Sequence, residues 1–143
     1  VYDNPVALLS LHEGRVNHAY QDSLGYWTIG VGHLIDPRKG GRLPEHIIDA
    51  LLEWDIAIHW AELEEALPWV TKLDKVRQTV LLDMAFNLGV KGLLGFARTL
   101  AAIKAGEYQK AASHMLHSLW ARQVKTRAVR LSKMMETGQW PES

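Results

Sequence analysis

Three side chains near the N-terminus have the types and spacing to do chemistry. Glu13, Asp22 and Thr28 are separated by eight and by five intervening residues. Glu13 closes a mostly apolar stretch just before Gly14, where a chain reversal is expected. Asp22 adjoins the turn Ser23-Leu24-Gly25, and Thr28 lies within Tyr26-Trp27-Thr28-Ile29, a run of high β-propensity. A reversal after Gly14 brings Glu13 opposite Asp22 and Thr28 across a cleft. Hydrolysis of a glycosidic bond needs such a pair in unlike surroundings, one carboxyl protonated as acid and one ionised. A hydroxyl beside the ionised group helps to hold a water. Alone, the pattern is not specific: Asp22 also reads as a plain turn residue and Thr28 as an ordinary strand threonine.

The elements that must position these groups are legible from capping and period. Asn4-Pro5 forms a helix start with Asn4 as N-cap, and Gly14 is its stop. Residues 15–43 hold five of the 11 glycines, and a hairpin or three-stranded sheet is expected at about Ala19–Ile35, followed by a loop from Pro37 to Gly41. Gly30 and Gly32 serve the backbone there. From Pro44 a helical period takes over. Ile47, Leu51, Trp54, Ile58 and Ala61 form an apolar stripe that runs to about Ala66, before Pro68. The remainder reads as helices at Asp74–Asn87, Gly92–Gly95, Ala97–Ala105, Tyr108–His117 and Lys125–Glu136. The fold class is α+β, a single 143-residue domain. Residues 15–43 form a small β-rich lobe, 44–66 a long connecting helix, and 1–14 with 67–143 a larger all-helical lobe.

Composition narrows the function. Hydrophobic residues make up 48% and charged residues 22%, a globular balance. The absence of cysteine removes disulfides, thiol nucleophiles and cysteine-ligated metal centres. His12, His18 and His33 near Glu13 lack the spacing of a metal site, so neither metal nor cofactor is expected. No signal peptide is read in the opening residues. Net charge is zero, yet residues 1–89 carry 7 Lys+Arg against 13 Asp+Glu, and residues 90–143 carry 9 against 3. Arg122, Lys125, Arg127, Arg130 and Lys133 make a basic segment that could meet an anionic surface such as outer-membrane lipopolysaccharide, or form a solvated helix face. The balanced total argues against a nucleic-acid partner.

Glu-x8-Asp-x5-Thr, set within His-Glu-Gly and Gly-Tyr-Trp-Thr-Ile-Gly-Val-Gly-His, resembles the phage-type lysozymes of glycoside hydrolase family 24, the T-even phage lysozyme family. Leu82-Asp83-Met84-Ala85-Phe86-Asn87-Leu88-Gly89, Gly95-Phe96, Ser118-Leu119-Trp120, Arg127-Ala128 and Thr137-Gly138-Gln139-Trp140 extend the resemblance over nearly the whole chain. Only about Pro37–Leu43 looks shorter than in the T-even member. The resemblance implies a lysozyme-like fold and a muramidase that cuts peptidoglycan between N-acetylmuramic acid and N-acetylglucosamine with inversion. It implies Glu13 as general acid, with Asp22 and Thr28 orienting the water. Saccharide contacts fall at Leu34, Phe86, Thr99 and His114; the last two, and Asn87, depart in type from the T-even pattern. It also implies a buried His33 paired with Asp55. Trp120 and Trp140 could stack on sugar, but a core role is the expectation.

An endolysin follows: monomeric, held in the host cytoplasm before lysis, and acting on the wall in the periplasm. Two other readings use the same residues. A lytic transglycosylase needs only one catalytic acid, and a wall-binding module needs no turnover at all.

Overall fold

The computed structural model describes residues 4–14, 16–21, 24–30, 33–34 and 42–142, and the side chains of Glu13, Val16, His18, His33 and Leu34 lie outside this description. The chain divides into two compact units, Val1–Leu52 and Glu53–Ser143.

The first unit opens with α1, Pro5–Glu13. Asn4 has extended backbone, and its side-chain oxygen accepts the Ala7 amide at 2.9 Å, satisfying an amide the first turn leaves free. Gly14 ends the helix at φ +76°, with its amide on the Ser10 carbonyl. Among the described residues no atom crowds a Cβ there, and the positive φ is what calls for glycine. Three antiparallel strands follow in the order β1 (Val16–Gln21), β2 (Trp27–Gly30) and β3 (His33–Leu34). Tyr20 lies opposite Thr28 and Gln21 opposite Trp27, whereas Val16 lies opposite Gly30. Between those pairs β1 spends two residues more than β2, a bulge that the +70° φ of Gly30 accommodates.

Helix α2 (Glu45–Ala66) has the expected bounds, and the division between units falls within it. Its expected stripe is not a buried seam. Ile47, Leu51, Trp54 and Ile58 are 38–67% exposed, and Leu63 alone in α2 is fully enclosed. Ile48, Leu52 and Ile56 lie beside the stripe, so apolar side chains occupy more than half the circumference of α2.

The second unit continues through a 3-10 turn (Pro68–Lys72) into α3 (Lys75–Leu94), α4 (Ala97–Lys104), α5 (Tyr108–Leu116), α6 (Leu119–Val124) and α7 (Thr126–Thr137). Helix α3 is broken at Gly89, at φ +75°, where the sequence separates two helices. Its core includes Leu63, Val80, Leu81, Met84, Leu93, Ile103, Met115, Trp120 and Met135. The expected core role of Trp120 therefore holds, with 4% exposure. That of Trp140 does not: its side chain is 54% exposed, because residues after Gly138 leave α7 without a helix packed over them.

Asp74 caps α3, accepting the Arg77 amide at 3.0 Å and a guanidinium hydrogen at 3.1 Å. Partial burial opposes ionisation of this carboxyl. The Arg77 amide, the hydrogen bond from its side chain and its positive charge outweigh that effect and hold Asp74 below its ordinary value of 3.8. Its contribution is present above the ordinary carboxylate range and fades as pH falls through the lowered folded value. Asp74→Ala is expected to cost about 1 kcal/mol at neutral pH. Urea titrations of both proteins should begin to converge below about pH 4 and meet only below the lowered folded value, as the parent carboxylate is protonated.

Ser132 faces inward on α7 at 2% exposure, and its hydroxyl has no hydrogen-bond partner among the described residues. Removing an unsatisfied buried hydroxyl relieves its desolvation cost and raises helix propensity. Ser132→Ala is therefore expected to stabilise the chain by about 1 kcal/mol, read as a higher urea midpoint at unchanged slope.

Candidate active site and family

The first unit carries the three expected catalytic positions. Glu13 is the last residue of α1, directly before the reversal at Gly14. Asp22 lies outside the described residues. Thr28 sits in β2, paired with Tyr20 on one side and Leu34 on the other. The sheet thus sets two expected site positions, Thr28 and Leu34, side by side on neighbouring strands. Thr28 is 6% exposed, and its hydroxyl donates to the Tyr26 carbonyl at 3.2 Å. That bond uses the only hydrogen the hydroxyl has and leaves its lone pairs able to accept from a water.

The remaining saccharide positions belong to the second unit. Phe86 is 40% exposed, and its ring stacks on His59 with centroids 4.8 Å apart and planes inclined by 29°. His59 Nδ1 lies 2.7 Å from the Asp55 carbonyl, so that nitrogen carries a hydrogen and donates it. His59 was not singled out from sequence. The i, i+4 relation of Asp55 and His59 is its signal, but its stacking partner on α3 has none. Thr99 is buried in α4 at 3% exposure. His114, on α5, is half-buried in a shallow groove with Arg98, Glu107 and Lys110. The expected pairing of His33 with Asp55 lies outside the described residues.

Other motif residues of the second unit have structural partners. Asn87 accepts the Trp120 indole hydrogen at 2.8 Å, so its amide fixes a buried indole that packs edge-on against Phe96. Arg127 is not a free member of the basic segment. Its guanidinium binds Asp83 at 2.7 and 2.8 Å and reaches the Asp83 carbonyl at 3.3 Å, joining α7 to α3. Asp83 and Arg127 thus explain why two separated motifs occur together. Among the described residues no group of acidic and histidine side chains could hold a metal, and no single helix is long and apolar enough to cross a membrane.

The profile of the phage lysozyme family matches residues 10–134. A probable T4-type lysozyme of Dictyostelium discoideum is 30% identical, with 92% of each chain covered. A second such protein from that organism is 27% identical with the same coverage. The pre-baseplate central spike protein Gp5 of Enterobacteria phage T4 is 30% identical over 95% of this chain, which spans 29% of the spike protein. The sheet-bearing first unit, the helical second unit and these matches agree with a lysozyme-like α+β fold. The chain belongs to the phage lysozyme family and is a glycoside hydrolase of the peptidoglycan-degrading kind.

Proposed function

We propose that the protein is an endolysin-type muramidase that cleaves the β-1,4 bond between N-acetylmuramic acid and N-acetylglucosamine with inversion. The observation that carries this is the family match over residues 10–134, which spans Glu13, Asp22 and Thr28. In the proposed reaction Glu13 gives its proton to the departing glycosidic oxygen. A water held by Asp22 and Thr28 attacks the anomeric carbon from the opposite face, and Asp22 takes the water's proton. One water is consumed per bond cut. Inversion requires room for that water, which corresponds to carboxyls about 6.5–9.5 Å apart. The engaged donor of Thr28 supports its role, since a hydroxyl whose hydrogen is committed presents only lone pairs to a water.

The biological reading is host lysis, with the enzyme held in the host cytoplasm as a monomer until it gains access to the periplasmic wall. Digestion of purified sacculi followed by mass spectrometry tests the reaction. Hydrolysis yields muropeptides ending in reducing N-acetylmuramic acid. Termini lighter by one water, the 1,6-anhydro form, would assign the chain to transglycosylation.

A further inference from the structure

The exposed Trp140 belongs to a groove that the catalytic assignment does not use. One stripe of α7 forms its floor, with Val129, Arg130 and Lys133, and residues 139–142 form its wall. The groove encloses about 410 Å³, within the size range of small-ligand sites. Val129 and Trp140 are 60% and 54% exposed although both are apolar, which leaves a ring and a branched side chain facing solvent. Arg130 and Lys133 are exposed one helical turn apart, and neither has an ion-pair partner among the described residues. One carboxylate, Glu142, lines the same groove against these two cations. The Thr126 hydroxyl and Gln139 amide add uncharged hydrogen-bonding groups.

An exposed indole flanked by cations and neutral polar groups has a chemical counterpart in a sugar bearing carboxylates. The C–H face of a pyranose packs on the indole, its hydroxyls suit a threonine and an amide, and a carboxylate meets the cations. Met134 and Pro141 also line the groove, and the uncharged hydrogen-bonding groups beside the ring favour a sugar over an acyl chain, which offers them no partner. We propose that this groove is a second, non-catalytic site for peptidoglycan, with a glycan unit against Trp140 and stem-peptide carboxylates at Arg130 and Lys133. The proposal rests on the muramidase reading above. Such a site holds the enzyme on an insoluble polymer between cuts.

The test is co-sedimentation of the full chain, carrying Glu13→Gln, with purified sacculi. Trp140→Ala is expected to raise the Kd about tenfold, and Trp140→Phe to stay within about twofold because a ring is retained. Arg130→Gln with Lys133→Gln is expected to raise it about fivefold. On sacculi whose stem peptides have been removed, the effect of the charge variant should vanish while that of Trp140→Ala persists. Tryptophan-region circular dichroism and urea midpoints establish that each variant is folded. A folded Trp140→Ala chain that binds as tightly as its parent overturns the proposal. So does a charge effect that persists on stripped glycan, or equal weakening toward vesicles containing lipopolysaccharide alone. Failure of the muramidase reading is separable: it appears as no reducing ends released by the native chain, whatever the variants bind.

Discussion

Glu13→Gln is expected to lower peptidoglycan hydrolysis by about 10²–10⁴-fold while leaving the chain folded and able to bind sacculi. Glutamine keeps the shape of the side chain but has no proton to give to a departing oxygen. The loss should therefore fall on kcat, with binding to insoluble wall retained. Asp22→Asn is expected to produce a loss of similar order, because the water then has no acceptor for its proton. The two should combine to much less than the product of their separate effects, since each removes one half of a concerted step. Release of reducing ends from sacculi, followed with stopped time points, measures all three proteins. A Glu13→Gln chain that clears the wall at the parental rate would remove Glu13 from the acid role.

Arg77→Ala should have the largest effect on stability, about 3 kcal/mol, or roughly 10 °C in the thermal midpoint. Arg77 is half of an arrangement that spans α3, α5 and the end of α7. Its guanidinium donates to the Met135 carbonyl at 2.7 Å and the Glu136 carbonyl at 3.0 Å, satisfying acceptors that the last turn of α7 leaves free. It lies 3.6 Å from the centre of the Tyr108 ring and pairs with Asp74. Its side chain is only 14% exposed, so water cannot replace these contacts at no cost. Gly138 belongs to the same arrangement. It caps α7 in the left-handed region at φ +68°, and a Cβ there would stand 2.9 Å from Arg77 Nη1. Gly138→Ala should thus cost about 1 kcal/mol from backbone conformation and more from this collision. In an Arg77→Ala background the collision disappears, and the Gly138→Ala penalty should shrink toward its backbone part. A double-mutant cycle by urea denaturation reads the difference.

Local chemistry explains which parts of the fold were legible in the sequence. Asn4, Pro5, Gly14, Asp74, Gly106 and Gly138 each have one conformational use, and each marks a helix end where the structure has one. The break at Gly89 was visible for the same reason. Helix α6 was missed even though Ser118 caps it, accepting the Ala121 amide at 3.1 Å. It is separated from α7 by Lys125 at φ +49°, and lysine gives no notice of a positive φ. The apolar stripe of α2 was legible from its period, but periodicity reports where apolar residues lie, not which neighbours cover them. Trp140 was assigned to the core on residue type, and its exposure depends on the path of the chain after Gly138, which is a tertiary property.

At the candidate site, Glu13, Asp22 and Thr28 stand out in the sequence because a motif of fixed spacing surrounds them. The second-unit partners were less visible. Asn87 with Trp120 and Asp83 with Arg127 are 33 and 44 residues apart in sequence, so their pairings emerge only when α3 meets α6 and α7. The stacking of His59 on Phe86 has the same character.

The central claim is that Glu13 protonates a leaving oxygen while Asp22 directs water to the opposite face of the sugar. Proton NMR of sacculus or soluble-glycan digests, recorded before mutarotation, tests it most directly. The account predicts that new N-acetylmuramic acid reducing ends appear first as the α anomer, which later relaxes to the equilibrium mixture. Initial appearance of the β anomer, or of 1,6-anhydro ends with no reducing anomer, would contradict it.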